Sequence, residues 1–282
     1  MPRPILRFED LSTPLAAIIG AGGSYDPDDP LLSHAGARHK ALIPIAGAPM
    51  ILHVAQALAD SEHITHLIVV GLGPEHSVGY PLPVTFVPEA GGIVENFLAG
   101  AEALERILPG AERVLLCSTD IPLITGEMIR YLVDTALATG ADVCYTVVRR
   151  ETMEARFPGA GRSFARLRDG QFAGGDVHLA NPSALWSNRR LMDDILGARK
   201  NNLKQARMLG LGILLKFLFR RLTVADGERK AESILGVPCR VIPVRYAELG
   251  MDVDKPHQLD LVRAEMEGRL DTVVHSRQTP AL

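Results

Sequence analysis

Short apolar segments alternate with segments of helical spacing along the first half of the chain. The run Leu15–Gly20 is apolar throughout and leads into a loop rich in Gly, Asp and Pro. Continuous apolar runs of this length are typical of strands buried on both faces of a sheet. Because such strands alternate with helices over short connections, we predict an α/β fold with a doubly wound, mostly parallel sheet. The predicted strands are Leu15–Gly20, His66–Gly71, Val84–Val87, Arg113–Cys117 and Val143–Val148, and the predicted helices are Met50–Asp60, Val94–Leu108 and Gly126–Thr139.

The pattern changes in the second half. An Asp169-Gly170 turn between short strands predicts a small antiparallel excursion over Ser163–Asn181. The remaining predicted elements are helices at Pro182–Arg190, Val224–Leu235 and Pro256–Leu270 and a strand at Arg240–Val244. Since no repeat or linker interrupts them, a single domain over residues 1–282 is expected.

Composition narrows the class of protein. Of the 282 residues, 47% are hydrophobic and only 5% aromatic, so the core of this globular chain is predicted to be aliphatic. A formal charge of -3 offers no basic excess for a nucleic-acid backbone, and no nucleic-acid partner is expected. Three scattered cysteines and the absence of a long apolar run favour a reduced, cytoplasmic protein.

A glycine-rich loop follows the first predicted strand. Ala21, Gly22, Gly23 and Ser24 stand where ligands of open α/β sheets bind, and small residues let backbone amides approach a polyphosphate. Neither the dinucleotide nor the Walker fingerprint is present. By itself, the loop is equally consistent with a tight turn.

A lysine and a Gly-x-Pro turn follow the loop. The segment His39–Met50 reads H-K-A-L-I-P-I-A-G-A-P-M. The chain resembles the nucleotidyltransferases of the GT-A-like fold in the order of four features. These are a strand, a glycine-rich loop, the pattern Lys-x-Leu-x-Pro-x-x-Gly-x-Pro and a helix. These include the molybdenum-cofactor guanylyl- and cytidylyltransferases, sugar-1-phosphate nucleotidyltransferases and the methylerythritol-phosphate cytidylyltransferase. The resemblance implies that the glycine loop cradles an NTP and that Lys40 is catalytic, stabilising charge on the α-phosphate.

The loop departs from the family pattern at two positions. Ser24 replaces a glycine, and Asp26 stands where the family has an arginine. These changes leave open the alternative of a nucleotide-binding protein of the same fold with impaired catalysis.

The first acidic candidate follows the predicted strand Arg113–Cys117. Ser118-Thr119-Asp120 places a carboxylate at the carboxyl end of a buried strand, where Mg²⁺ can be held between phosphate oxygens. A turn or cap role is the alternative. The resemblance matches S-x-D-x-P-L to the family's metal-binding signature, which makes Asp120 a catalytic metal ligand and Ser118 a nucleotide contact.

The second acidic candidate precedes the last helix. In an extended segment, Asp252 and Asp254 face the same side. Asp254 alternatively caps the helix that begins near Pro256. The resemblance implies that Asp254 is the second ligand of Mg²⁺, with Asp252 in reserve.

Two further sets of contacts follow from the resemblance. Gly91 and Gly92, with Glu89 before them and Asn96 after, correspond to the loop that selects the base, although a plain helix start explains the same pattern. By analogous position, His178 and Asn181 contact the acceptor; Asn181 alternatively makes a turn before Pro182.

The resemblance implies three regions. Residues 14–148 form the NTP-binding half, 149–239 the acceptor side with a helical insertion at 199–221, and 240–282 the closing strand, metal-ligand segment and C-terminal helix. The implied reaction is Mg-dependent transfer of an NMP from an NTP to an anionic, phosphorylated small-molecule acceptor, with release of pyrophosphate. The alternative enzyme class is a GT-A glycosyltransferase, which would read Asp252-Val253-Asp254 as its acidic motif.

The insertion combines basic and apolar residues. No Asp or Glu occurs from Ile195 to Ala225, and seven Lys or Arg residues surround Met208–Leu215. Three interpretations stand, in this order: a buried lid or insertion helix, a contact between copies of the chain, and a peripheral membrane contact. The positive charge also suits an anionic acceptor.

Overall fold

The structure, a computed structural model, describes residues 6–11, 14–22, 28–76, 78–186 and 211–268. Its strands are β1 (Leu15–Gly20), β2 (Pro44–Ile45), β3 (Ala48–Pro49), β4 (Ile64–Val70), β5 (Val84–Val87), β6 (Val114–Ser118), β7 (Val143–Arg149), β8 (Ala165–Leu167), β9 (Gly170–Gly174), β10 (Val177–Ala180) and β11 (Cys239–Val244). Its α-helices are α1 (Pro30–Ala35), α2 (Met50–Asp60), α3 (Ile93–Ile107), α4 (Gly126–Leu137), α5 (Arg150–Arg156), α6 (Pro182–Trp186), α7 (Leu211–Leu218), α8 (Val224–Leu235) and α9 (Pro256–Met266).

The described strands form one large sheet and a small hairpin. The large sheet has the order β5-β4-β1-β6-β10-β7-β9-β8, and β11 also pairs with β7. The pairs β5-β4, β4-β1, β1-β6 and β7-β11 are parallel. Strands β2 and β3 form the separate antiparallel hairpin. The predicted mostly parallel α/β sheet is therefore confirmed.

Alternate side chains of β1 belong to two different cores. Leu15, Ala17 and Ile19 pack in the cluster that contains the buried residues of α2 and α4. Ala16 and Ile18 pack in a second cluster with α3. Because successive side chains of a strand point to opposite faces, helices cover both faces of β1. This arrangement is the doubly wound architecture that the apolar runs predict.

The antiparallel part of the sheet is more central than the sequence predicts. A turn at 168–169, one residue before the predicted Asp169-Gly170 turn, joins β8 to β9, and β10 continues between β6 and β7. Both of these pairings are antiparallel. Strand β10 therefore inserts into the middle of the parallel sheet, and the residue before it, Asp176, reaches the end of β6.

Two short helices were not expected from apolar spacing. Helix α1 is set by local capping, because Asp29 accepts hydrogen bonds from the amides of Leu31 and Leu32 and Gly36 ends the helix at φ +63°. Helix α5 continues directly from β7 and buries Met153. Both are too short for a helical period to be visible in the sequence.

Gly100 marks the closest approach of α3 to the sheet. A Cβ atom there would lie 2.4 Å from Cγ2 of Ile18, whereas a Cβ on Gly227 of α8 would meet nothing within 4 Å. We expect Gly100→Ala to lower the free energy of unfolding by about 1–2 kcal/mol through overpacking. The matched control Gly227→Ala gains helix propensity and should raise it by about 0.5–1 kcal/mol. Urea denaturation measures both; a stabilised Gly100→Ala variant would show that α3 does not pack this closely.

Candidate active site

A cavity of about 640 Å³ lies at the carboxyl ends of β1 and β6. From β1 the chain adds β4 and then β5 on one side of β1, and afterwards it crosses over to add β6 on the other side. The direction in which strands are added therefore reverses between β1 and β6. Open α/β sheets bind ligands in the crevice at such a switch point. The cavity is lined by Gly20, Ala21, Gly22, Lys40, Ala41, Glu89, Gly91, Gly92, Ile93, Asn96, Ser118, Thr119 and Asp120.

Glycines keep the floor of this cavity open. A Cβ atom on Gly22 would lie 2.5 Å from Nδ2 of Asn96 and 3.0 Å from Oε1 of Glu89. Gly71 has φ +103°, and a Cβ there would lie 2.3 Å from the backbone of Gly22. The loop after β1 is thus packed against the loop after β4 at a separation that only glycine allows.

Asn96 holds the loop that precedes α3. Its side chain is buried, and its Oδ1 accepts a hydrogen bond of 2.8 Å from the amide of Ala90. Gly91 has φ +129°, so the turn before the helix requires a glycine. The predicted residues Glu89, Gly91, Gly92 and Asn96 therefore line one wall of the cavity, with Asn96 positioning the others.

Lys40 lies between two carboxylates from distant parts of the chain. Its Nζ donates a hydrogen bond of 2.6 Å to Oδ2 of Asp120 and a second hydrogen bond to Oδ1 of Asp254. Burial lowers the pKa of Lys40, but Asp120 and Asp254 outweigh it and raise the pKa above its ordinary value. Ser118 Oγ donates to Oδ1 of Asp120 at 2.5 Å and fixes the orientation of that carboxylate.

The segment before α9 is attached to the end of β6. The amide of Val253 donates to the carbonyl oxygen of Asp120 at 2.8 Å, and the amide of Asp254 donates to Oε1 of the buried Gln258 at 2.9 Å. Lys255 occupies the N-cap position of α9 and makes no side-chain cap. Asp254 therefore directs its carboxylate to Lys40 and does not cap the helix. Asp252, the reserve ligand of the sequence prediction, instead pairs with Arg162.

Asp176 is a candidate site residue that the sequence analysis did not single out. It lies at the fork where β9 and β10 separate, and its backbone pairs with Ser118 and Leu249. Its Oδ2 is buried without a hydrogen-bond partner in the described part of the chain, and the nearest cation is Nη2 of Arg162 at 3.9 Å. Burial and the nearby carboxylate of Asp120 raise the pKa of Asp176 to about 7. The only local signal is a carboxylate after Gly174-Gly175, which also suits an ordinary turn.

The predicted acceptor residues lie at opposite ends of β10. His178 shares a face with Asp176, stacks on Tyr145 with ring centroids 4.4 Å apart, and accepts a hydrogen bond from the amide of Thr146 at Nδ1. Burial lowers the pKa of His178 to about 4, so the ring is neutral at physiological pH. Asn181 instead bonds to Asp142 and Ser183 beyond the other end of the strand. Its contacts are those of a turn residue, and the structure does not bring it to the cavity.

Some predicted residues lie outside the described part of the chain. These are Gly23, Ser24 and Asp26 of the loop after β1 and residues 199–210 of the basic segment. Among the described residues, no group of three or more His, Cys, Asp or Glu side chains is arranged to hold a metal ion. No helix within the described ranges is long and apolar enough to cross a bilayer.

The residues around Lys40 nevertheless fit a divalent cation. Asp120 and Asp254 already converge on one positive charge, the Lys40 ammonium, which shows that their oxygens can surround a cation. Hard carboxylate oxygens are the usual ligands of Mg²⁺, which often takes only one or two from the protein and completes its shell with phosphate and water. The donor set is therefore suitable for Mg²⁺ bound together with a nucleotide.

The raised pKa of Asp176 predicts a pH-dependent stability. Between its ordinary pKa of 3.8 and about 7, the unfolded chain ionises this group while the folded chain retains the proton. Its contribution therefore destabilises the fold progressively as pH rises through that window and remains unfavourable above it. In metal-free buffer, we expect Asp176→Asn to raise the melting temperature at pH 8 and the gain to shrink toward pH 5.

A matched control is Asp60→Asn, the same change at an exposed carboxylate of α2 that contacts Gln56. We expect its effect on the melting temperature to be small at both values of pH. If the gain for Asp176→Asn is the same at pH 5 and pH 8, Asp176 does not hold a proton in the folded state.

Solved structures share this fold. A hypothetical transferase from Thermus thermophilus is 36% identical, with a TM-score of 0.74, and the match covers 88% of this chain and 99% of that one. A CMP:2-keto-3-deoxy-manno-octonic acid synthetase complexed with CTP is 15% identical, with a TM-score of 0.59 over 92% of this chain and 100% of that one. At that identity the second match shows the fold alone.

Sequence comparisons identify relatives and a domain family for this chain. The bifunctional protein GlmU of Agrobacterium fabrum is 31% identical over 46% of this chain and 27% of its own length, and that of Rhodospirillum rubrum is 25% identical over 71% and 46%. The chain thus spans less than half the length of these relatives. The model of the MobA-like NTP transferase domain matches residues 17–236. The chain's fold is that of a nucleotidyltransferase domain. Since the model matches most of the chain, the protein belongs to the family of the MobA-like NTP transferase domain.

Proposed function

We propose that this protein transfers an NMP from an NTP to a phosphorylated small-molecule acceptor and releases pyrophosphate in a Mg²⁺-dependent reaction. The observation that carries the proposal is the placement of Lys40 between Asp120 and Asp254, at one end of a glycine-lined cavity. This arrangement supplies a cation for the triphosphate and two carboxylates for a metal at the same point.

The charge balance of the site supports a need for a divalent cation. Among the described residues, the carboxylates of Asp120, Asp176, Asp252 and Asp254 near the end of β6 form ion pairs with two cations, Lys40 and Arg162. A triphosphate would add further negative charge. When bound at Asp120 and Asp254, Mg²⁺ supplies the charge neutralisation that an in-line displacement at the α-phosphorus requires.

The glycine wall and the loop before α3 form the nucleotide side of the site in this proposal. Gly22 leaves its backbone accessible because no side chain occupies the space toward Asn96 and Glu89. Gly91 and Gly92 present backbone amides at the start of α3, where the helix dipole favours negative charge and polar acceptors. Lys40 moves from its carboxylate partners to the α-phosphate and stabilises the charge that develops there.

The acceptor side lies on the other side of β6 from β1. Strand β10 follows β6 in the sheet and carries His178, with Asp176 immediately before the strand. The unpartnered Oδ2 of Asp176 is suited to accept a hydrogen bond from a hydroxyl group of the acceptor. The attacking phosphate oxygen is ionised at neutral pH, so the reaction needs positioning and charge neutralisation and no general base.

The catalytic assignment predicts a large loss of turnover. Lys40→Ala and Asp120→Asn should each reduce pyrophosphate release by about 100-fold or more, because each removes charge stabilisation of the transition state. The measurement is a coupled pyrophosphate assay with the four NTPs, Mg²⁺ and a panel of sugar phosphates. Asp60→Asn is the matched control for a lost carboxylate and should retain wild-type turnover.

The same assay distinguishes the other enzyme classes. Release of a nucleoside diphosphate from nucleotide sugars would indicate a glycosyltransferase, and tight Mg·NTP binding without turnover would indicate a nucleotide-binding protein. The proposal is contradicted if a nucleoside diphosphate is released, if Mg·NTP binds without turnover, or if Lys40→Ala retains full activity.

Lys40 should also compete with the metal before the nucleotide binds. Its ammonium neutralises Asp120 and Asp254, so removing it leaves two carboxylates that gain by binding a cation. We expect Lys40→Met to bind Mn²⁺ about 5- to 10-fold more tightly than the wild type without nucleotide, as measured by electron paramagnetic resonance. The control Lys230→Met removes a lysine of α8 and should leave the affinity unchanged. Equal or weaker Mn²⁺ binding by Lys40→Met would show that Asp120 and Asp254 do not form the metal site.

A further inference from the structure

The end of α7 exposes large apolar side chains. Leu218 and Phe219 are 72% and 67% exposed, the highest values for large hydrophobic residues in the described ranges, and Leu215 is 43% exposed. Within the described ranges, nothing covers the end of this helix. A contiguous exposed apolar group on a folded domain marks an interaction surface more often than chance.

Backbone hydrogen bonds hold this apolar tip in place. The carbonyl oxygen of Lys216 accepts hydrogen bonds from the amides of Arg221 at 2.7 Å and Leu222 at 3.1 Å, and Arg220 adopts φ +54° to complete the turn. The carbonyl oxygen of Leu222 then accepts a hydrogen bond of 2.8 Å from the amide of Arg168. The turn after α7 is therefore anchored to the β8–β9 hairpin.

This anchoring gathers positive charge around the tip. We define the basic apolar tip as Leu215, Leu218 and Phe219 together with the cations of α7, of the turn that follows it, of the hairpin and of α8. These cations are Arg166, Arg168, Lys216, Arg220, Arg221, Arg229 and Lys230.

The acids beside the tip are already engaged. Asp226 pairs with Lys216 at 2.7 Å and with Arg229 at 2.5 Å, and Oδ2 of Asp169 accepts a hydrogen bond of 2.9 Å from the amide of Val224. With Glu228 and Glu232 of α8 included, seven cations face four carboxylates, so this surface is positive although the whole chain carries a formal charge of -3.

We propose that the basic apolar tip docks on the surface of an anionic phospholipid bilayer, with Leu218 and Phe219 inserted among the lipids and the arginines contacting phosphate head groups. Segments that bind at membrane interfaces combine exposed apolar side chains, which enter the lipid, with Arg and Lys residues, which contact the phosphate head groups. The eight described residues of α7 are too few to cross a bilayer, and the proposal places them in the interface.

The charge distribution favours a bilayer over a second copy of the chain. In a two-fold symmetric contact, the same patch faces itself, so the cations of one copy would meet the cations of the other. The acids beside the tip already bond to neighbouring groups of their own copy, so they do little to relieve this repulsion. An anionic lipid surface provides the opposite charge and accepts the apolar side chains at the same time.

The test is flotation of the full chain with vesicles of phosphatidylcholine alone or of phosphatidylcholine mixed with phosphatidylglycerol. We expect the wild type to float with the phosphatidylglycerol vesicles, to float at least about tenfold less with neutral vesicles, and to be released by salt. The double variant Leu218→Ser, Phe219→Ser and the double variant Arg220→Gln, Arg221→Gln should each bind about tenfold less tightly or worse.

Two controls make the result specific. The variant Arg130→Gln, Arg245→Gln removes two exposed arginines outside the tip and should float like the wild type. Circular dichroism of the tip variants should be unchanged, because the replaced side chains are exposed. Sedimentation velocity reports the mass of each variant.

Three outcomes would overturn the proposal. The first is a wild type that stays at the bottom of the gradient with both kinds of vesicle. The second is flotation that both tip variants retain. The third is a dimer in solution that the Phe219 variant loses while the wild type does not float, which would assign the surface to a second copy.

Discussion

The bonding of Lys40 to Asp120 and Asp254 connects three distant parts of the chain at one point. Lys40 follows the loop after β1, Asp120 follows β6, and Asp254 precedes α9. The amide of Val253 adds a backbone hydrogen bond to Asp120, so the C-terminal segment is held against the sheet independently of the charges. The parallel β1–β6 register brings Gly20 beside Ser118, which places the glycine loop next to these carboxylates. The proposed metal and phosphate contacts of Lys40, Asp120 and Asp254 depend on this junction.

The same junction explains why so much negative charge is concentrated in one place. Asp176 and Asp252 share Arg162, while Asp120 and Asp254 share Lys40. An excess of carboxylates is costly in a partly buried site, and the raised pKa of Asp176 reflects that cost. In the proposed function, a bound Mg²⁺ would offset this excess of carboxylates.

Where the sequence signal is local, the residues that it singles out lie close together in the structure. The glycine loop, Lys40, Asp120 and Asp254 each stand beside a strand or helix end that apolar spacing reveals, and a parallel sheet brings such ends together. Asp176 and Arg162 were missed because their positions depend on the insertion of β10 between β6 and β7, which is a non-local pairing. Asn181 was assigned to the acceptor side by position in the chain, but the antiparallel direction of β10 carries it to the opposite end of the strand. The exposure of Leu218 and Phe219 likewise depends on tertiary packing, since apolar runs usually signal core.

The most direct test of the central claim is a crystal structure of the protein with Mg²⁺ and a non-hydrolysable α,β-methylene NTP. The account predicts that the nucleotide fills the cavity between Gly22 and Gly92, that Lys40 Nζ leaves Asp254 and contacts the α-phosphate, and that the metal lies between Asp120, Asp254 and phosphate oxygens. A nucleotide bound outside this cavity, or Lys40 still bonded to both carboxylates beside a bound nucleotide, would contradict it.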